Sequence, residues 1–165
     1  MVGRIARSQS PRRGAPEVKC SYSGPSRGNL FVTGDPQKLT RVIENLVDNA
    51  RSFSPEGGRV RLIVTPKDGM AEIAVEDDGP GVPPDEREAI FRRFHSVRPE
   101  RDGFGKHSGL GLAIVRTILD SHHGSIHVED RSNGKSGARF VVTLPRSPIS
   151  TPDEHQADQS SAEEP

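Results

Sequence analysis

The chain contains few of the residues that cross-link a protein or anchor it in a membrane. Among its 165 residues there is one cysteine, Cys20, and no tryptophan. A single cysteine forms no disulfide within the chain, which fits a reducing compartment. No apolar run approaches the ~18 residues of a membrane-spanning helix, and no signal peptide is visible. We therefore expect a cytoplasmic polypeptide without membrane contact of its own, which is compatible with a longer parent in the inner membrane.

A formal net charge of zero hides a difference between the two ends. Residues 1–28 carry six basic residues and one acidic residue, whereas residues 147–165 carry five acidic residues and no Lys or Arg. Neither end has enough apolar surface to offset the loss of chain entropy on folding. The composition predicts a disordered basic head over 1–28, one folded domain over 29–146 and a disordered acidic tail over 147–165. Because Tyr22 is the only aromatic residue of the head, no nucleic acid is expected as a partner.

The middle of the chain predicts alternating helices and strands. Asp35 suits the N-cap of a helix and Pro36 its first residue, and apolar residues recur at helical spacing as far as Ala50. Alternation over 59–77 predicts a β-hairpin that turns at 66–69, with Asp77 facing the core. This pattern predicts an α/β (α+β) two-layer sandwich, with helices on one face of a mixed, mostly antiparallel sheet. The other expected elements are a short helix from Pro83 that pairs Ile90 with Phe94, a helix from Gly109 to His123 closed by Gly124, and strands over 126–129 and 139–144.

Four short blocks between residues 45 and 112 carry the chemistry. In chain order they are NLVDN (45–49), DDGPG (77–81), FRRF (91–94) and SGLGL (108–112). An acidic residue that closes a strand before Gly-x-Gly, and a second glycine-rich turn that opens a helix, are together typical of a nucleotide site.

The residue types in these blocks suit the parts of a nucleotide. An inward-facing carboxylate at Asp77 is costly without a partner, and the exocyclic amine of adenine is a donor that it can accept. Gly79 and Gly81 let the backbone approach a base closely. Gly109 and Gly111 precede a helix whose first N–H groups and dipole favour phosphate.

Order and spacing of the four blocks resemble the N, G1, F and G2 boxes of the ATP-binding domain of sensor histidine kinases. That domain belongs to the superfamily shared by gyrase B, the Hsp90 chaperones and MutL. The resemblance covers roughly residues 30–146 and implies the Bergerat ATP-binding fold, with ATP and Mg²⁺ as cofactors. A narrower set of matches resembles the ChvG-type sensor kinases.

The resemblance also implies roles for individual residues. The second amide of the N box, Asn49, supplies an oxygen to Mg²⁺, and Asn45 lines the phosphate or metal surroundings, so both are catalytic candidates. His107 stands where the family usually has glycine. The implied ATP-binding set is Asn45, Asn49, Asp77, Gly79, Gly81, Lys106, His107, Ser108, Gly109, Leu110, Gly111 and Leu112.

The implied activity is that of a protein-histidine kinase in a two-component system. Such a domain donates the γ-phosphate of ATP to a histidine on a separate dimerisation domain, from which a response regulator takes it. None of the six histidines of this chain precedes an acidic residue, and all follow the N box, so we expect the acceptor elsewhere and a monomer in isolation. Two alternatives remain open: a serine kinase of the anti-sigma-factor type, and a non-catalytic nucleotide-binding module. A hydrolase like gyrase B is less favoured, because those enzymes place a Glu where this chain has Asn45.

Overall fold

A computed structural model describes residues 18–25, 30–95, 109–131 and 133–147. These residues form a five-stranded sheet with two helices packed on one face. The sheet order is β1-β2-β3-β5-β4, in which β1 is parallel to β2 and every other pair is antiparallel. The predicted two-layer sandwich is confirmed. The elements are β1 (Lys19–Ser23), α1 (Pro36–Phe53), β2 (Arg59–Lys67), β3 (Met70–Glu76), a 3-10 helix (Ala89–Phe91), α2 (Gly111–Asp120), β4 (Ser125–Asp130) and β5 (Ala138–Pro145).

Helix α1 begins where its sequence predicts. The Asp35 carboxylate accepts the N–H groups of Gln37 (2.8 Å) and Lys38 (3.2 Å), which satisfies two donors of the first turn. Those N–H groups lower the pKa of Asp35. At the other end, the N–H of Ser54 donates to Ala50 before the chain turns away. The helix buries one stripe, formed by Leu39, Val42, Ile43, Leu46, Val47 and Ala50.

The core lies between that stripe, helix α2 and the inner face of the sheet. Alternate residues of each strand point to opposite faces, so the strands contribute every second side chain. Phe91 packs edge-on against Phe140 at a centroid separation of 6.4 Å. Among the described residues no helix is long and apolar enough to cross a bilayer. The strand residues of the core are Val60, Leu62, Val64, Ile73, Val75, Ile126, Val128, Ala138, Phe140, Val142 and Leu144.

Strand β1 corrects the expected boundary of the folded domain. It spans Lys19–Ser23, inside the segment 1–28 that composition assigned to a disordered head. Cys20 and Tyr22 pack against the core, and every residue of the strand pairs with β2. The pairing partner begins 40 residues later at Arg59, so local composition gives no sign of it. Residues 1–17 and 148–165 lie outside the described residues, and the disorder of those stretches stays a prediction.

Two expected local features, the pairing of Ile90 with Phe94 and the end of helix α2, are also wrong. The chain leaves helical geometry after Phe91, since Arg92 is extended, and Phe94 is 77% exposed with φ 62° rather than paired with Ile90. Helix α2 ends at Asp120, and the left-handed residue that follows it is His123 rather than Gly124.

Gly124 serves packing instead of chain reversal. A methyl group there would lie 2.6 Å from the carbonyl oxygen of Thr143 in β5.

The hairpin turn between β2 and β3 is also tighter than expected, because only Asp68 (φ 49°) and Gly69 (φ 77°) form it. Two consecutive residues with positive φ are the geometry of a two-residue hairpin turn.

Candidate nucleotide-binding site

The first and last of the four blocks meet at the start of helix α2. Asn45 donates from Nδ2 to the carbonyl of Arg41 at 2.9 Å. Its Oδ1 lies where a methyl group on Gly111 would approach it to 3.3 Å. Helix α1 therefore places an amide oxygen beside the N-terminus of α2, although 66 residues separate Asn45 from Gly111.

The other two blocks adjoin the same region. The N–H of Phe94 donates to the carbonyl of Gly109 at 3.2 Å, which brings the third block to the fourth. Gly109 has φ 65°, and a methyl group there would lie 3.1 Å from Cα of Phe94. A methyl group on Gly79 would lie 2.8 Å from the carbonyl oxygen of Phe53, the last residue of α1. All four blocks thus border one region of the molecule.

Asp77 is the buried carboxylate of this region. It follows β3 directly and is 2% exposed. Its Oδ1 accepts the N–H of Gly79 at 2.8 Å and the N–H of Ala138 at 3.1 Å. Within the described residues Oδ2 has no hydrogen bond. Burial raises the pKa of Asp77, the two N–H donors oppose that increase, and the neighbouring Asp78 adds to it. A buried carboxylate with one oxygen unoccupied suits a ligand that donates a hydrogen bond.

Helix α2 begins without a side-chain cap. Its N-cap is Leu110, which makes no capping hydrogen bond, whereas Asp35 caps α1 with two. The first N–H groups of an uncapped helix need an acceptor from elsewhere, and together with the helix dipole they favour an anion. The amide oxygen of Asn45 beside Gly111 shows that the N box faces the same helix start.

The amide oxygens of helix α1 suit a metal ion that binds together with a nucleotide. No cluster of three His, Cys, Asp or Glu side chains that would hold a metal alone occurs among the described residues. Mg²⁺ commonly takes one or two protein oxygens and completes its shell with water and phosphate. Asn49 is half-buried one turn after Asn45, so an amide oxygen at that position suits such a shell.

Of the remaining sequence-predicted residues, some lie within the described ranges and others lie outside them. Gly81 has φ 86° and borders the carbonyl of Gly137, at 3.2 Å from an added methyl group. Leu112 packs partly against the core, and Leu110 is the half-buried N-cap of α2. Lys106, His107 and Ser108 lie outside the described residues.

Sequence reasoning missed the turn between β4 and β5. Gly137 has φ 129° and lies directly against the backbone of Asp77. Ser136 donates from its hydroxyl to the carbonyl of Gly79 at 2.8 Å, and the buried Arg131 is paired with Asp78. The sequence predicted only the strands over 126–129 and 139–144 on either side of this stretch, and a buried Arg next to it carries no signature of its own.

Comparison with known proteins assigns the chain to a family. Residues 34–148 match the family described as "Histidine kinase-, DNA gyrase B-, and HSP90-like ATPase". That range is well over half of the chain, and the chain belongs to this family.

Within the family, the similar curated proteins are sensor kinases. Sensor protein ChvG of Rhizobium meliloti (strain 1021) is 40% identical over 126 residues, which are 74% of this chain and 22% of that protein. The kinase/phosphatase MprB of Mycobacterium sp. (strain KMS) is 44% identical over 121 residues, 72% of this chain and 23% of that protein. The resemblance to ChvG-type kinases is confirmed. The chain spans about a fifth of the length of these relatives.

Solved structures agree with this assignment. A mycobacterial sensor histidine kinase MprB structure superposes with a TM-score of 0.68 at 34% identity, covering 88% of this chain and 89% of that one. The catalytic domain of histidine kinase ThkA gives a TM-score of 0.64 at 29% identity, covering 77% and 79%. Full-length ShkA in complex with AMPPNP gives 0.65 at 29% identity, covering 88% and 28%. The described residues therefore have the fold of the ATP-binding, catalytic part of sensor histidine kinases.

Proposed function

We propose that this chain binds Mg-ATP and donates the γ-phosphate to a histidine on a separate dimerisation domain, in a two-component system. The observation that carries the proposal is the buried Asp77, with Oδ1 held by two backbone N–H groups and Oδ2 open to a donor. Of the common bases, adenine presents an amine where guanine presents a carbonyl. An ionised Asp77 accepts from the amine and repels the carbonyl oxygen, so the site selects adenine.

The phosphates belong at the start of helix α2 in this proposal. Uncapped N–H groups from Gly111 onward donate to phosphate oxygens. Gly109, in a left-handed conformation against Phe94, sets the angle at which the chain enters the helix. Lys106, His107 and Ser108 precede that turn in sequence, and we propose them as further phosphate contacts.

Asn49 is the proposed protein ligand of Mg²⁺, and Asn45 orients the phosphate beside it. When bound, the metal neutralises charge on the β- and γ-phosphates. The chain's own residues do the positioning, because α1 fixes both amides on one rigid helix face. Phosphoryl transfer of this kind depends mostly on positioning and electrostatics, so the domain needs no general base of its own.

The acceptor and the downstream partner are proposed from the relatives. The curated relatives are longer sensor kinases, of which the matched residues make up 22% and 23%. We propose that the acceptor histidine lies on another domain of a comparable parent and that a response regulator receives the phosphoryl group. In isolation the domain is expected to be monomeric, to bind nucleotide well and to turn it over slowly.

A serine kinase of the same fold is the second candidate, and a binding-only module the third. The position of Asn45 bears on a fourth possibility, hydrolysis. Asn45 Oδ1 borders Gly111, so this side chain faces the phosphate end of the site, yet an amide cannot deprotonate water. That placement favours transfer to a protein over hydrolysis.

Binding is tested first by calorimetric titration of the domain with ADP, AMPPNP and the corresponding guanine nucleotides. The proposal expects binding of adenine nucleotides alone. Folded protein that binds neither base, or both equally, would contradict it.

Transfer is tested with radiolabelled ATP and the dimerisation domain of the parent protein. Label that is lost in acid and kept in alkali indicates phosphohistidine, whereas acid-stable label indicates phosphoserine. An acceptor domain in which the candidate His is changed to Gln is the matched control. Adenine binding without any labelled acceptor would favour the binding-only module.

A further inference from the structure

Arg131, at the end of strand β4, is a buried cation that the proposed mechanism does not use. Its side chain is 4% exposed. Nη1 donates both to Asp78 Oδ1 and to the carbonyl of Ser136, the latter at 2.9 Å. Nε has no hydrogen-bond partner among the described residues. A buried guanidinium with an unsatisfied donor is costly, and an apolar side chain of similar size is often at least as stabilising. Stability is therefore a weak reason for an arginine here.

The partners of Arg131 belong to the loop that carries Asp77. Asp78 follows Asp77, and its other oxygen, Oδ2, accepts the N–H of Arg59 at 3.0 Å. Ser136, whose carbonyl Arg131 holds, donates from its hydroxyl to the carbonyl of Gly79 at 2.8 Å. Arg131 thus joins Asp78 directly, and Gly79 through Ser136, to the β4–β5 turn.

The contacts of Arg131 with Asp78 and Ser136 lie on the opposite side of the loop from the proposed base-binding carboxylate of Asp77. Asp77 points into the core face, as its 2% exposure shows, whereas the Asp78 side chain is 28% exposed. Arg131 therefore contacts the loop through Asp78 and Ser136, and none of its hydrogen bonds reaches Asp77.

We infer that Arg131 is a positioning residue for base recognition: through Asp78 and Ser136 it fixes the loop 77–79 so that Asp77 Oδ2 faces the amine of adenine. The inference rests on the proposed function, because it assigns a role within the same nucleotide site. It makes the β4–β5 turn a part of that site although none of the four sequence blocks includes it.

The ion pair between Arg131 and Asp78 also affects the electrostatics of Asp77. Asp78 raises the pKa of Asp77, in addition to the larger effect of burial. The cations that face Asp78 are Arg131 and Arg61, whose Nη2 lies 4.0 Å from Asp78 Oδ1. Arg61 also pairs with Glu76, with Nε 3.2 Å from Oε2. Arg131 lies closer to Asp78 than Arg61 does and is its main counter-charge.

Removing that counter-charge has a predictable sign. Without Arg131, the charge of Asp78 acts more strongly on Asp77 and raises its pKa further. Since Oδ1 already accepts two N–H groups, a proton on Asp77 settles on Oδ2, the oxygen that must accept the amine. Loss of Arg131 therefore makes nucleotide binding fail at a higher pH than in the wild type.

The test measures the affinity for ADP in EDTA between pH 5 and 8, because metal-free ADP leaves out the proposed contribution of Mg²⁺ and Asn49. The variants are Arg131→Gln, Asp78→Asn and the double variant, with circular dichroism at each pH to confirm folding. Arg131→Gln is expected to weaken ADP binding at pH 7 by roughly tenfold, the size of one charge-assisted hydrogen bond. Arg131→Gln should also raise the pH at which ADP binding is lost on acidification. Asp78→Asn in the same chain should return that pH to the wild-type value.

Three controls separate positioning from general damage. Lys67→Gln removes one cation from the far end of β2 and should leave the pH profile unchanged. Ser136→Ala loses only the hydroxyl contact to Gly79 and should weaken ADP binding without moving the profile. If Arg131→Gln does not fold, Arg131→Lys replaces it. Weaker binding at an unchanged pH profile is then expected, because the charge is kept while the planar guanidinium that places Nη1 between Asp78 and Ser136 is lost.

The outcomes are distinct. Wild-type affinity and pH profile in Arg131→Gln, or wild-type affinity in Arg131→Lys, would overturn the positioning role. So would a shifted profile that Asp78→Asn fails to reverse. Absence of ADP binding by the folded wild type would instead overturn the proposed nucleotide function itself.

Discussion

Gly137 lies so close to the backbone carbonyl of Asp77 that a methyl group on Gly137 would overlap that oxygen. The two residues are 60 positions apart, and their contact joins the β4–β5 turn to the strand end that presents the buried carboxylate. Gly137 also has φ 129°, a conformation that other residues rarely adopt. Space and backbone conformation therefore both require glycine at this position.

Gly137→Ala is expected to destabilise the domain and to abolish nucleotide binding. Overpacking and the unfavourable φ together cost about 2 kcal/mol or more, and the relief of the clash displaces Asp77. Urea unfolding and ADP titration measure the two effects. Gly134→Ala is the matched control, since Gly134 has φ 67° but nothing within 4 Å of the added methyl group. Equal losses in the two variants would show that φ alone, and not the contact with Asp77, matters.

Asp77→Asn should weaken adenine-nucleotide binding and yet stabilise the empty domain at neutral pH. Its amide oxygen can still accept the two N–H groups, but its NH₂ group faces the adenine amine and loses an acceptor worth roughly tenfold to hundredfold in affinity. Burial raises the pKa of Asp77 in the folded state, so the protonated carboxyl group favours folding, and this contribution is fully present below the unfolded-state pKa. That contribution is lost as the pH rises through the folded-state value.

Melting temperatures measured against pH check this sign. The advantage of Asp77→Asn over the wild type should be present at pH 7 and shrink as the pH falls and Asp77 becomes protonated. A variant that is less stable than the wild type at pH 7 would contradict the pKa direction, and undiminished ADP affinity would contradict the role in base recognition.

Asn49→Ala should remove the dependence of ATP-analogue binding on Mg²⁺ while leaving metal-free ADP binding near the wild-type value. The reason is that, in the proposed site, the amide oxygen of Asn49 binds the metal and does not contact the base. Titration of AMPPNP with Mg²⁺ and with EDTA gives the comparison. Glu44→Ala, at an exposed position of the same helix, controls for loss of a polar side chain. Retention of the full Mg²⁺ effect in Asn49→Ala would place the metal elsewhere.

His122→Ala should reduce the stability of the domain without a change in base selectivity. Nε2 of His122 accepts the N–H of Asp35 at 3.1 Å, and Nδ1 lies 2.7 Å from the carbonyl of Ile118. The ring therefore ties the start of α1 to the end of α2, and one lost hydrogen bond of this kind costs about 1 kcal/mol. Urea unfolding measures it, with the exposed His127→Ala as the control. Equal free energies of unfolding in the two variants would show that the His122 hydrogen bonds do not stabilise the domain.

Local sequence was sufficient for the elements whose signals lie within them. Asp35 and Pro36 start α1, and its apolar spacing fixes which side is buried, so the helix and its two amides were predictable. Alternation likewise placed Asp77 on the core face. Prediction failed where a distant segment decides the outcome. Strand β1 exists because β2 pairs with it, and Phe94 is exposed because the chain turns away after Phe91.

The sequence by itself determined the class of fold, the family and the motifs that border the site, because periodicity, caps and the spacing of the four blocks are properties of neighbouring residues. Only the tertiary structure decided what holds Asp77 in place. Ala138 and Gly137 reach it from β5 and its preceding turn, and Arg131 reaches Asp78 from the end of β4. Those contacts depend on the order of strands in the sheet, in which β5 lies beside β3. Strand order is set by the packing of the whole core, which no local pattern encodes.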